Sequence, residues 1–150
     1  MIRFTYKLGG VGWASATLTD GQSDVTFPAS YLCDALRDLV DGVQSLFVTD
    51  NAQVRWEEEP GAVLWDFRRS DSRLIVKVRW HDDRESFEGD EDLLHFGSEV
   101  DRQLDALLAS WGADGYMKQW RYSFPQEAHD KLKRALKAER ERRKATTQYE

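Results

Sequence analysis

Residues 73–80 read RLIVKVRW, and their reading decides the fold. Leu74, Val76, Val78 and Trp80 alternate with Arg73, Ile75, Lys77 and Arg79. A side-chain period of two sends the first set to one face of a strand and the second to the other, as in a half-buried antiparallel strand. Upstream, AVLWDFRR (62–69) sets Val63, Trp65 and Phe67 against Leu64, Asp66 and Arg68. AQVRWEEE (52–59) sets Ala52, Val54 and Trp56 against Gln53, Arg55 and Glu57. Glu-Pro-Gly and Ser-Asp-Ser separate the three runs, and proline and glycine supply turn geometry, so the stretch reads as a meander.

Outward from the meander, MIRFTYKL (1–8) alternates in the same way, with Ile2, Phe4, Tyr6 and Leu8 on one face. Gly9-Gly10 turns the chain, and VGWASATLT returns as a second strand. GGVG lacks the remaining glycines and the Lys-Ser/Thr ending of a phosphate loop. VTFP leads into a helix over SYLCDALRDLVDGVQSLF, where Leu32, Leu36, Leu39, Val40, Val43, Leu46 and Phe47 recur at helical spacing. RESFE forms a short further strand after the HDD turn. A second helix opens at GDEDLLHF, has the apolar stripe Leu93, Phe96, Val100, Leu104, Leu107, Leu108 and Trp111, and is interrupted at GADG. A third, charged helix spans 126–145, and beyond Ala138 it has nothing to bury and projects or frays. The order of elements predicts one α+β domain over 1–150: an antiparallel sheet of about five strands, with three helices mainly on one face.

Charge is unevenly spread. The net formal charge is -6. From Lys131 onward eight basic and three acidic residues give +5, so the preceding body carries -11. An acidic body repels phosphates and favours basic partners, which argues against nucleic acid. No apolar run suits a membrane span or a signal sequence. Cys33 is the single cysteine and lies in an apolar stripe, which excludes an internal disulfide and a thiolate metal site. The expectation is a cytoplasmic protein without a cofactor.

The chemistry-bearing stretch is RWHDD (79–83), which ends the deciding strand. His81, Asp82 and Asp83 offer imidazole and carboxylate, but a transition metal generally needs three or four convergent ligands. His95 and His129 lie on other helices, and HExxH is absent, so no metal is expected. Asp66 punctuates an apolar strand, where an ion pair with an arginine is the ordinary role. Trp56, Asp66, His81, Asp82 and Asp83 are the expected binding residues of a small acidic domain, a neutralising or regulatory subunit for a basic protein. The alternatives are a small hydrolase built on Asp66, His81 and Asp83, and a self-associating protein whose basic helix docks an acidic neighbour.

Overall fold

The computed structural model describes residues 1–148. In chain order the elements are β1 (Arg3–Gly10), β2 (Trp13–Thr19), β3 (Asp24–Ser30), α1 (Ala35–Ser45), β4 (Asn51–Glu57), β5 (Ala62–Ser70), β6 (Arg73–Trp80), β7 (Ser86–Asp92), α2 (Leu93–Trp120) and α3 (Gln126–Gln148). The α+β class and three helices stand, with the helices mostly on one side. The single sheet of about five strands does not: seven strands form two antiparallel sheets, β1-β2-β3 and β4-β5-β6-β7.

The missing strand is β3, whose first residues carry the VTFP expected to lead into a helix. Val25, Phe27 and Ala29 point inward along it, and Pro28 pairs opposite Ser15. A proline has no amide to donate and is tolerated on an edge strand, which β3 is. The inner faces of the two sheets meet through aromatic contacts: Phe4 with Trp65, Tyr6 with Trp56, and Phe27 with Trp80, at centroid separations of 6.4, 6.1 and 6.5 Å. Two apolar faces need each other's cover, which is why the first hairpin lies across the meander rather than beside it.

The helices close the side of this sandwich. α2 runs along β1, where Gln103 Oε1 accepts the Tyr6 amide at 3.1 Å and so satisfies part of that edge. α1 lies beside β4, and α3 packs on both other helices. Gly42 marks close packing of α1 on β4, since a Cβ there would come within 2.8 Å of a Val54 methyl. α1 begins only at Ala35, so Leu32 falls outside the helical stripe assigned to it and is exposed. The GADG interruption is present as a break in α2, with Gly112 at φ 68 and ψ 170. α3 does not leave the body at Ala138. Arg140 donates to Ser98 Oγ at 3.0 Å, and Arg143 Nη1 reaches both Asp92 oxygens at 2.9 Å. No helix among the described residues is long and apolar enough to cross a membrane.

Candidate functional site

The deciding strand runs straight into the turn that holds three of the five expected binding residues. His81 donates its amide to the Ala62 carbonyl at 2.9 Å, and its Nδ1 accepts the Ala62 amide at 3.2 Å. The imidazole therefore braces the neighbouring strand start, with its proton on Nε2 when neutral. Asp82 accepts from Arg84 Nε at 3.0 Å, and that guanidinium also lies 4.3 Å over the Trp80 ring. The hydrogen bonds from Arg84 hold the Asp82 carboxyl below its ordinary range. Asp83 pairs with Arg79 at 3.2 Å. Among the described residues no hydrogen bond or ion pair joins His81 to Asp66, Asp82 or Asp83, so the acid–histidine pair of a hydrolase is not assembled here.

Asp66 stands apart from the turn, on the outer face of the four-stranded sheet opposite Lys77 and 3.7 Å from Arg68. That face is a mosaic of local pairs: Arg55 with Glu57, Arg73 with Asp90, and Lys77 with Glu88. Exposed pairs of this kind cancel charge without adding much stability, typically about 0–1 kcal/mol each. Trp56 is a correction to the expected set. It is fully buried and donates Nε1–H to the Ala35 carbonyl at 3.0 Å, so it is a core residue with no surface to offer.

A second constellation joins α2 to α3. His129 Nε2 lies 2.7 Å from Asp101 Oδ1 and 3.6 Å from Asp105 Oδ1, and these are the three metal-ligating groups that converge among the described residues. Lys133 Nζ sits between the same carboxylates, at 2.9 and 3.2 Å. Burial works against that ammonium, but its hydrogen bonds to Asp101 and Asp105 outweigh it and raise its pKa. The buried His129 Nδ1 has no hydrogen-bond partner, whereas a metal-bound imidazole usually donates its other N–H to an acceptor. The resident cation is thus a lysine, and the group ties two helices together.

Five of the exposed large apolar side chains lie elsewhere, at the end where the β1–β2 turn, the β3–α1 loop and the last turns of α2 meet. Val11 is 72% exposed, Leu32 54%, Met117 53%, Tyr31 42% and Trp13 38%. The Tyr31 amide donates to the Gly12 carbonyl at 2.8 Å, and the Gly12 amide donates to the Gln119 carbonyl at 3.0 Å. The Tyr122 hydroxyl donates to the Tyr31 carbonyl at 2.7 Å, and the Arg121 guanidinium lies 5.4 Å over the Tyr31 ring. These bonds make one platform of three segments distant in sequence. Gly10, Val11, Gly12 and Arg121 all have positive φ, between 54 and 88. At Gly12 a Cβ would come 2.6 Å from the Tyr31 ring, so only glycine lets that ring lie flat over the turn.

Beside the platform runs an acidic ridge of α1. Asp34, Asp38 and Asp41 recur at i, i+4 and i+7 and so share a helix face. Asp41 pairs with Arg37 at 3.8 Å, but Asp34 and Asp38 have no ion pair among the described residues. Asp34 accepts the indole N–H of Trp120 at 3.2 Å, and the Arg37 charge acts on both Asp34 and Asp38. Burial raises the pKa of both carboxyls, and the charges of Asp34 and Asp41 raise Asp38 further. A carboxyl whose folded pKa is raised favours the fold at low pH, and that contribution is lost as pH climbs through the raised range. Asp38→Asn is therefore expected to raise the unfolding free energy at pH 7, by under about 0.5 kcal/mol at this exposed site. Thermal unfolding at pH 7 and pH 3 checks this. A gain that persists at the lower pH would contradict the assignment.

Comparison with protein-family models, with curated proteins and with solved structures gives no match for the chain.

Proposed function

We propose that this is a protein-binding domain and that it meets its partner through the platform of Val11, Trp13, Tyr31, Leu32 and Met117. One observation carries this: five large apolar side chains stand in solvent on segments that hydrogen bonds bring to one end, whereas the other exposed large apolar side chains, Met1, Val48, Ile75 and Trp111, come from four separate parts of the chain. Single exposed apolar residues need no explanation, but a contiguous group rimmed by charge marks a contact surface. Tryptophan, tyrosine, methionine and arginine are also the residue types enriched where proteins bind each other. The expected carboxylates Asp82 and Asp83 are held by the protein's own arginines, which favours the aromatic end over the β6–β7 turn. A domain of this kind acts by occupying or holding a surface of its partner, which suits a neutralising or regulatory subunit.

The test is site-specific photocrosslinking in the native cell. A benzophenone amino acid at position 13 or 32 is expected to give a discrete heavier adduct, and the same group at Lys77 on the sheet's outer face is expected to give none. Equal adducts from both faces, or none from the platform, would remove this function. Trp13→Ala, removing a central aromatic anchor, should cut the adduct formed at position 32 by about tenfold or more.

A further inference from the structure

Net charge alone favours a basic partner, but the cations around the platform favour the opposite. Carboxylates outnumber basic groups up to residue 130, and most cations there have found one. Arg55, Arg68, Arg73, Lys77 and Arg79 on the four-stranded sheet all form ion pairs. So do Arg37, Arg69, Arg84 and Arg102. The exceptions among the described residues are Arg3, Lys7, Lys118 and Arg121. All border the platform or the sheet face that continues it. Lys118 follows Met117, and the Arg121 guanidinium lies over the Tyr31 ring. Lys7 stands opposite Ser15 on the outer face of the three-stranded sheet, one diagonal step from Trp13. Arg3 lies further along the same face of β1. Between them the face offers the hydroxyls of Thr5, Ser15, Thr17 and Thr26, and no carboxylate before Asp24. Lys7 also borders a groove of about 300 Å³ between β1 and α2, whose lining includes Leu8, Leu107 and Trp111 and no carboxylate.

We infer that the partner's contact segment is acidic: an extended stretch of protein that rests an apolar side chain on Trp13 and Tyr31 and brings aspartate or glutamate to Lys7, Lys118 and Arg121. This rests on the aromatic end being the contact surface. Carboxylates of α1 stand beside the platform too, but Arg37 acts on Asp34 and Asp38, whereas the rim cations are left to an outside anion. The overall negative charge does not forbid such a contact. The Debye length is about 8 Å at physiological ionic strength, so distant carboxylates are screened and charge at contact range selects the partner. A nucleic acid is the poorer fit, since its charges run on past these cations over an acidic body.

The experiment repeats the crosslink from position 32 in two further backgrounds of equal net charge. Lys7→Glu with Lys118→Glu reverses two exposed rim cations that have no ion pair to lose among the described residues. Arg134→Glu with Lys137→Glu makes the same change of charge on the exposed side of α3 and is the comparison. Circular dichroism checks that both are folded; should the first misfold, Lys7→Gln with Lys118→Gln is read in its place. The first pair is expected to lower adduct yield about tenfold, and the second less than about twofold. Peptide sequencing is expected to find more than one aspartate or glutamate within about five residues of the crosslinked position, the reach of an extended segment across the platform. If both pairs lower the yield alike, or neither does, or the crosslinked segment is basic or uncharged, the charge assignment fails while the aromatic contact stands. If Trp13→Ala leaves the adduct unchanged, or no adduct forms at all, the contact surface itself fails. An adduct that nuclease digests overturns both, as does one of twice the chain's mass, since the partner is then a nucleic acid or a second copy of this chain.

Discussion

Trp56→Ala is expected to lower the stability of the fold by about 3–5 kcal/mol, the range found when a large buried aromatic is truncated. The Trp56 ring is fully buried between the two sheets, with its centroid 4.9 Å from that of Trp65 and 6.1 Å from that of Tyr6. Its removal leaves a void that two sheets and α1 cannot all close, because the sheet positions are fixed by their ladders. The indole also fastens α1, through the 3.0 Å bond to the Ala35 carbonyl. Trp56→Phe separates the two effects. It keeps most of the apolar area and should still cost about 1–2 kcal/mol through the orphaned carbonyl and lost volume. Trp65→Phe provides the contrast, since the Trp65 indole N–H is buried with no acceptor. Discarding that donor should offset part of the lost packing. Urea unfolding of the three variants tests the scheme, and a Trp65→Phe loss equal to that of Trp56→Phe would refute it.

The second large effect is expected at Glu91. Its side chain is 9% exposed, and its two oxygens accept the amides of Ile2 and Asp92, each at 2.8 Å. His95 Nε2 lies 3.8 Å away. One carboxylate thus joins the start of β1 to the end of β7, across the two sheets. Glu91→Ala orphans two amide donors, and the expected loss is about 2–4 kcal/mol. Glu91→Gln should cost less, because its single oxygen still satisfies one amide while its NH₂ faces the other. Hydrogen exchange at the Ile2 amide reports the contact directly. Unchanged protection there, with unchanged stability, would show that Glu91 does not hold the strand.

The meander was legible because alternation is a local property. Each of β4, β5 and β6 declares its buried face in four or more successive residues. The partition into two sheets was not legible, since it depends on which apolar faces cover each other across long stretches of chain. Pro28 concealed β3 because proline resembles a helix start when its edge position is unknown. Leu32 counted as helical because its spacing to Leu36 fits, although the helix starts three residues after it. The candidate surface was hidden for a related reason. Val11 to Trp13, Tyr31 with Leu32, and Met117 to Tyr122 come together through contacts between segments far apart in sequence, backbone hydrogen bonds among them. Conversely, Asp82 and Asp83 drew attention as adjacent carboxylates, and Arg79 and Arg84 close by in the chain quench them. A signal was present at GGVGW, where an aliphatic residue flanked by glycines precedes a tryptophan. Such a turn holds an apolar side chain out in water.

The platform side chains hang on turns and termini, whereas the residues that determine folding lie between the sheets. Substitutions at 11, 13, 31, 32 and 117 therefore leave the aromatic interior untouched, with position 12 alone barred by the ring above it. Under the proposed reading, descendants of this chain are free to exchange one binding preference for another by drift at a handful of outward sites, each step viable because the interior is untouched.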